Sequence, residues 1–149
     1  MNLRNGRVRL IAAVGERGQI GLGGHVPWHG DPDYEKETQQ DLSEFYQITE
    51  GGVLVVGVMT AKNLPPRFYK EVKSYSRVIR VWENRKTDAD AFMGRLLKEF
   101  PNRHIWICGG ALAYKNFMPY VSWMHISRIS YDGPADTYFP SIMQKPGAR

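Results

Sequence analysis

Four short apolar segments punctuate the chain: Val8 to Val14, Val53 to Val56, Arg77 to Trp82 and His104 to Cys108. Each is rich in Val and Ile and bounded by Gly, Pro or charged residues, the pattern of buried strands. A fifth, Ser122 to Ser130, alternates less cleanly but is also β-rich. Helical patterns lie between them. Thr38 to Thr49 carries Asp41, Leu42, Phe45 and Ile48 at helical spacing. Ala89 to Phe100 is amphipathic, with Thr87 or Asp88 as its cap and Pro101 as its end. Ala111 to Met118 forms a shorter helix that Pro119 ends. Strands alternating with helices predict an α/β fold with a mostly parallel central sheet. The 149 residues suffice for one core, so 1–149 is read as a single domain.

Composition narrows the classes. A hydrophobic fraction of 42% with 12% aromatics argues against disorder. No stretch approaches the roughly 20 apolar residues of a membrane helix. The apolar run near the N-terminus is interrupted by Gly15-Glu16-Arg17 and has no small-residue cleavage site after it. It reads as a core strand, and the expected location is cytoplasmic. The lone Cys108 excludes an internal disulfide. A net charge of +5 serves solubility or draws an anionic ligand such as a phosphorylated cofactor. The Lys and Arg residues are scattered, without a basic run, which argues against nucleic acid. His25 and His29 are four apart, but Gly and Pro around them argue against a helix, so no metal is expected.

Two places have the form of a strand, a glycine and a helix: VLVVG before VMTAKNL, and HIWICGG before ALAYKNF. Glycine allows close approach of backbone or phosphate, and the free N–H groups of the next helix favour an anion. A tight turn with nothing bound has the same signature. Asp41 is equally open at this level. It is either a solvated charge at the edge of an apolar stripe, or a carboxylate accepting two parallel N–H bonds from an N–C–N edge, with Phe45 as an aromatic wall.

Four motifs together resemble the dihydrofolate reductase family. LIAAVGERGQIGLGGHVPW, Leu10 to Trp28, is similar to its first strand and active-site loop, through Ala12, Ala13, Ile20, Gly21, Pro27 and Trp28. DLSEFYQITEGGVLVVGVMT, Asp41 to Thr60, resembles its substrate helix and next strand. CGGALAY, Cys108 to Tyr114, resembles its cofactor turn, and ADTYFP, Ala135 to Pro140, a pattern near its C-terminal region. The resemblance implies a three-layer α/β/α domain and an NADPH-dependent reductase of a pterin, dihydrofolate first. It implies Asp41 as the catalytic carboxylate, with Ile11, Trp28, Leu42, Phe45, Cys108 and Ser127 around the substrate. It implies Ala13, Ile20, Gly57, Thr60, Gly109, Gly110 and Tyr114 along the cofactor. Two alternatives stand beside it: a reductase of a related pyrimidine or pteridine, as in the riboflavin pathway, and a non-catalytic nucleotide- or pterin-binding protein.

The chain departs from the family in three places. An extra segment, HGDPDYEKETQQ, separates Trp28 from Asp41 and carries the rival carboxylates Asp31 and Asp33. It is expected to form a lid or to extend the helix. Basic residues that hold the cofactor's 2′-phosphate are replaced by Val58 and Leu112, leaving Arg80, first among Arg85, Lys86 and Lys62, to compensate. Arg77, ahead of Arg67, is the candidate for holding the glutamate tail of folate. Finally, only SIMQKPGAR follows Pro140, so the family's C-terminal hairpin is expected to be missing. That leaves an exposed edge strand near 122–130, and such an edge invites a second copy.

Overall fold

The computed structural model describes residues 6–64, 66–73 and 76–140. Five parallel strands make the main sheet: β1 (Val8–Val14), β3 (Val53–Gly57), β4 (Val78–Trp82), β5 (Ile105–Ile107) and β6 (Trp123–Arg128), in the order β4-β3-β5-β1-β6. All five lie where the apolar segments predict them. The helices are α1 (Glu35–Ile48), α2 (Val58–Asn63), α3 (Pro66–Lys73), α4 (Ala89–Glu99) and α5 (Ala111–Phe117). The sheet has an apolar layer on each face. On one, Ile11, Leu54 and Trp106 meet Phe45 and Ile48 of α1 and Phe68 of α3. On the other, Leu10, Val55 and Ile107 meet Met93 and Leu96 of α4 and Phe117 of α5. This is the expected three-layer α/β/α arrangement. Burial on both faces explains why the central strands read as unbroken apolar runs rather than alternating ones.

Local chemistry sets the helix ends. Asp88 accepts the Ala91 N–H at 2.8 Å and caps α4, which settles the choice between Thr87 and Asp88. At the other end of α4, the Arg7 guanidinium donates to the carbonyls of Phe100 (2.5 Å) and Leu97 (3.0 Å), satisfying acceptors the helix leaves open. Pro119 does end α5, but the chain continues one further turn as a 3-10 helix, Met118–Tyr120. The extra segment before Asp41 extends the helix rather than forming a lid. A 3-10 turn, Pro32–Tyr34, capped by Asp31 through the Asp33 N–H at 3.0 Å, leads directly into α1.

Pattern reading missed a second, two-stranded sheet: β2 (Gln19–Gly21) and β7 (Thr137–Tyr138), paired antiparallel. It is too short to carry a period. The ADTYFP motif acts here. Asp136 accepts the Gly23 N–H at 3.0 Å, and Phe139 donates its N–H to Gly18 at 2.8 Å, tying the segment after β1 to the end of the described chain. β6 is the outer strand expected near 122–130. Residues 141–149, on which the expectation of a missing hairpin rests, lie outside the described residues.

Phe117 is fully buried and stands edge-on to Trp82 at 4.9 Å between centroids. Phe117→Ala is expected to cost about 3–5 kcal/mol of stability by opening a cavity. Urea unfolding followed by circular dichroism measures it.

Candidate active site

The path of the chain creates a crevice. The chain leaves β3 toward β4 at one edge of the sheet and leaves β5 toward β6 at the other. The carboxyl ends of β3 and β5 therefore flank a topological switch point, where open α/β sheets bind ligands. Both glycine turns sit there. The Gly57 N–H donates to the Gly109 carbonyl at 2.7 Å, and the Gly109–Gly110 peptide is cis. A Cβ on Gly110 would come within 2.8 Å of Thr60 Oγ, and Gly109 holds φ +120°. Only glycine fits these two positions. The helices that follow have 6 and 7 residues, so what they present is free N–H groups more than a macrodipole. Met59 and Leu112 stand exposed on their first turns.

Next to these turns, Tyr114 is buried and donates its hydroxyl to the Ile11 carbonyl at 2.9 Å. Phe139 packs on its ring at 5.0 Å between centroids. Cys108 directly follows β5, and burial pushes its thiol well above the usual range, so it is a neutral group. Ala13 and Ile20 are half-buried. Trp28 is buried against Tyr131 and Ile129, with Ala13 at the margin of that cluster, and so anchors the loop.

Asp41 lies half-buried on α1, with Phe45 one turn on. Phe45 packs at a tilt on Phe68 and edge-on to Tyr46, and Leu42 is exposed. Burial pushes the Asp41 carboxyl above the ordinary carboxylate range, and Glu44 adds to this. The facing Ser127 hydroxyl and His125 pull the other way. A cleft of about 680 Å³ runs along this end of α1 and β6, with Glu16, Glu37, Asp41 and Glu44 among its acidic groups and His125 and Arg128 opposite. Glu37 accepts both the backbone N–H (2.8 Å) and the hydroxyl of Ser130, which lowers its pKa and fastens α1 to the end of β6. Glu37 and Glu44 escaped the sequence reading. Their spacing of four and three residues from Asp41 was a readable signal, but exposed helix charges share it.

Two expected arginines are engaged elsewhere. Arg77 is buried, and its guanidinium donates to Thr49 Oγ at 3.0 Å and to the Tyr46 carbonyl, with the Tyr46 ring beneath it. It joins α1 to the start of β4 and does not stand free for a substrate tail. The side chain of Arg67 lies outside the described residues. Arg80 pairs with Glu99 at 2.7 Å and lies over Phe100, away from the glycine turns. A smaller pocket of about 350 Å³ beside Val58 brings in Lys86 and Arg95, together with Glu83 and Thr87. Of the compensating residues weighed, Lys86 is the one found there, and Arg95 was missed. The rivals Asp31 and Asp33 serve the turn before α1. Among the described residues no group of three or more His, Cys, Asp or Glu could hold a metal, and no helix is long and apolar enough to cross a membrane. His25 and His29 stack face to face at 4.3 Å.

Comparison with known proteins gives consistent matches. A family model described as dihydrofolate reductase matches residues 7–146. A dihydromethanopterin reductase from Methylorubrum extorquens is 35% identical over 132 residues, 89% of each chain. A dihydrofolate reductase type 5 from Escherichia coli is 31% identical over 144 residues, 91% of this chain and 83% of that one. A dihydrofolate reductase from Buchnera aphidicola is 27% identical over 146 residues, 93% of this chain and 82% of that one.

The raised pKa of Asp41 gives its stability effect a sign. The folded chain holds this proton to higher pH than the unfolded chain does. The contribution is therefore complete below the ordinary carboxylate range and is lost as pH rises through the raised value. Asp41→Asn is expected to unfold at a higher temperature than the parent at neutral pH. The gap should close below about pH 4. Thermal melts across pH check this.

Proposed function

The chain belongs to the dihydrofolate reductase family, and from that premise we propose that it is an NADPH-dependent reductase of a dihydropterin. The observation that carries this reading is the half-buried Asp41 carboxylate, one turn from Phe45 and within electrostatic reach of Tyr114, which lies against the Gly109 turn at the sheet's switch point. Its two oxygens suit the parallel N–H donors of an amidine-like ring edge, a directional and charge-assisted pair. Ile11, Leu42 and Phe45 would supply apolar walls beyond the charged lining of the cleft, and the Ser127 hydroxyl a polar neighbour. Partial desolvation strengthens the attraction of the ionised Asp41 carboxylate for a proton on the ring nitrogen, with water as the immediate donor.

The glycine cradle fits a dinucleotide, because a Cβ on Gly110 would fill it. Gly57, Thr60, Gly109 and Gly110 would hold the pyrophosphate. Ala13, Ile20, Cys108 and Tyr114 would surround the nicotinamide, and Lys86 and Arg95 would meet the 2′-phosphate. When bound, NADPH supplies the hydride for a C=N bond.

Among pterins we favour dihydromethanopterin, the substrate named for the 35%-identical relative, over dihydrofolate. Reduction of dihydrofolate to tetrahydrofolate is the second reading, supported by relatives such as the Escherichia coli enzyme.

Each dihydropterin mixed with NADPH should cause loss of the reduced nicotinamide absorbance, with the higher kcat/KM for dihydromethanopterin. Asp41→Asn is expected to lower turnover by about 10²–10⁴-fold. Unchanged turnover across neutral pH would overturn the role of Asp41. Turnover of a ribosylaminopyrimidine alone would point to the riboflavin-type reaction, and no cofactor binding at all to a non-catalytic protein. In the active enzyme, Lys86→Met with Arg95→Met should raise KM for NADPH about tenfold or more while leaving KM for NADH nearly unchanged.

A further inference from the structure

The cleft beside Asp41 reaches the free edge of the sheet, because no strand among the described residues pairs with the outer side of β6. Trp123, His125 and Ser127 alternate along β6 and share the face turned to α1. Asp41 faces Ser127. One turn on, Glu44 approaches His125, with Oε2 and Nε2 3.7 Å apart. That is ion-pair distance rather than a hydrogen bond, and His125 Nε2 finds no hydrogen-bond partner among the described residues. The hydrogen-bonded Asp41–Ser127 pair is thus continued along helix and strand by a carboxylate–imidazole pair, Glu44 and His125.

We propose that His125 and Glu44 are positioning residues for the reduction, passing protons from water at the open edge of the sheet to the Asp41–Ser127 end of the cleft. The proposal rests on the reductase reading above. Reducing a C=N bond consumes a hydride at carbon and a proton at nitrogen. Water beside Asp41 gives that proton. The hydroxide left behind recovers a proton, through water in the cleft, from the imidazolium at His125. The imidazole is then reprotonated from bulk water, and Glu44 stabilises the cation while it lasts. The charged groups around His125 are Asp41 and Glu44 from α1, Glu16 from the loop after β1, Arg128 on its own strand, and Arg9 of β1, which lies over the neighbouring Trp123 ring. Glu37, farther along α1, is already engaged by Ser130.

The test is single-turnover hydride transfer against pH in the complex with NADPH and dihydropterin, for the parent, Glu44→Gln, His125→Gln and His125→Ala. Loss of the proton supply should move the alkaline limb of the rate to lower pH in both His125 variants, and by less in Glu44→Gln. One pH unit above the parent limb, His125→Ala should be slowed about tenfold or more with the pterin KM nearly unchanged. Added imidazole should restore it but leave Glu44→Gln as it was. NADPH binding and the circular dichroism spectrum identify any variant that has failed to fold, and the near-isosteric glutamine variant then carries the measurement. A limb that stays in place or moves to higher pH in His125→Gln, or an alanine variant that imidazole does not rescue, overturns the proposal while leaving an active parent enzyme. A parent that reduces no dihydropterin overturns the function instead.

Discussion

Asp41 is pressed against one face of a parallel sheet, where it loses part of its hydration without a full ion pair in exchange. A carboxylate stays in such a place only if the helix that carries it cannot slide or lift. α1 is held at both ends. Near its start Glu37 grips the backbone and hydroxyl of Ser130. Near its end the buried Arg77 draws the Tyr46 carbonyl and the Thr49 hydroxyl toward β4. Between these anchors, Phe45 and Ile48 pack on Ile11, Leu54 and Trp106. The register of helix on sheet brings Asp41 to Ser127 and Glu44 to His125.

The other half of the crevice depends on close approach of backbone to backbone. Gly57 and Gly109 touch through a 2.7 Å hydrogen bond at the adjacent ends of β3 and β5. A side chain at Gly109 would meet the positive φ and the Tyr114 hydroxyl, and one at Gly110 would meet the Thr60 hydroxyl. The contact forms because the topology sends the chain to opposite edges after these two strands, which leaves their carboxyl ends clear. Tyr114 then ties α5 to β1 through the Ile11 carbonyl. The glycine cradle and the strand beneath Asp41 are thereby joined.

The positive charge is distributed to match. The arginine expected to hold a tail anchors α1, and Arg80 pairs with Glu99 as Lys86 does with Glu83. The cations found in a pocket near the turns, Lys86 and Arg95, come instead from the segment after β4 and from α4. The Asp41 cleft, by contrast, is lined with carboxylates. The overall charge of +5 therefore says little about either place, because the field at each depends on which side chains the fold turns inward.

Helix α3 went unread, but the five strands of the main sheet, helices α1, α2, α4 and α5 and, through the family resemblance, the three-layer class were legible in the sequence, with Asp41 as a candidate. Each of these rests on a local property: hydrophobic period, a cap such as Asp88, or a motif of fixed spacing. Tertiary structure alone decided the rest. β2 and β7 exist only because they meet each other, being too short to show a period of their own. The destinations of Arg77, Arg80, Lys86 and Arg95 follow from long, flexible side chains whose partners are distant in sequence. The pairing of Glu44 with His125, from a helix and a strand some eighty residues apart, is of the same kind. A sequence states which charges a chain carries, but a charge acquires its chemistry from what the fold places within a few ångströms of it.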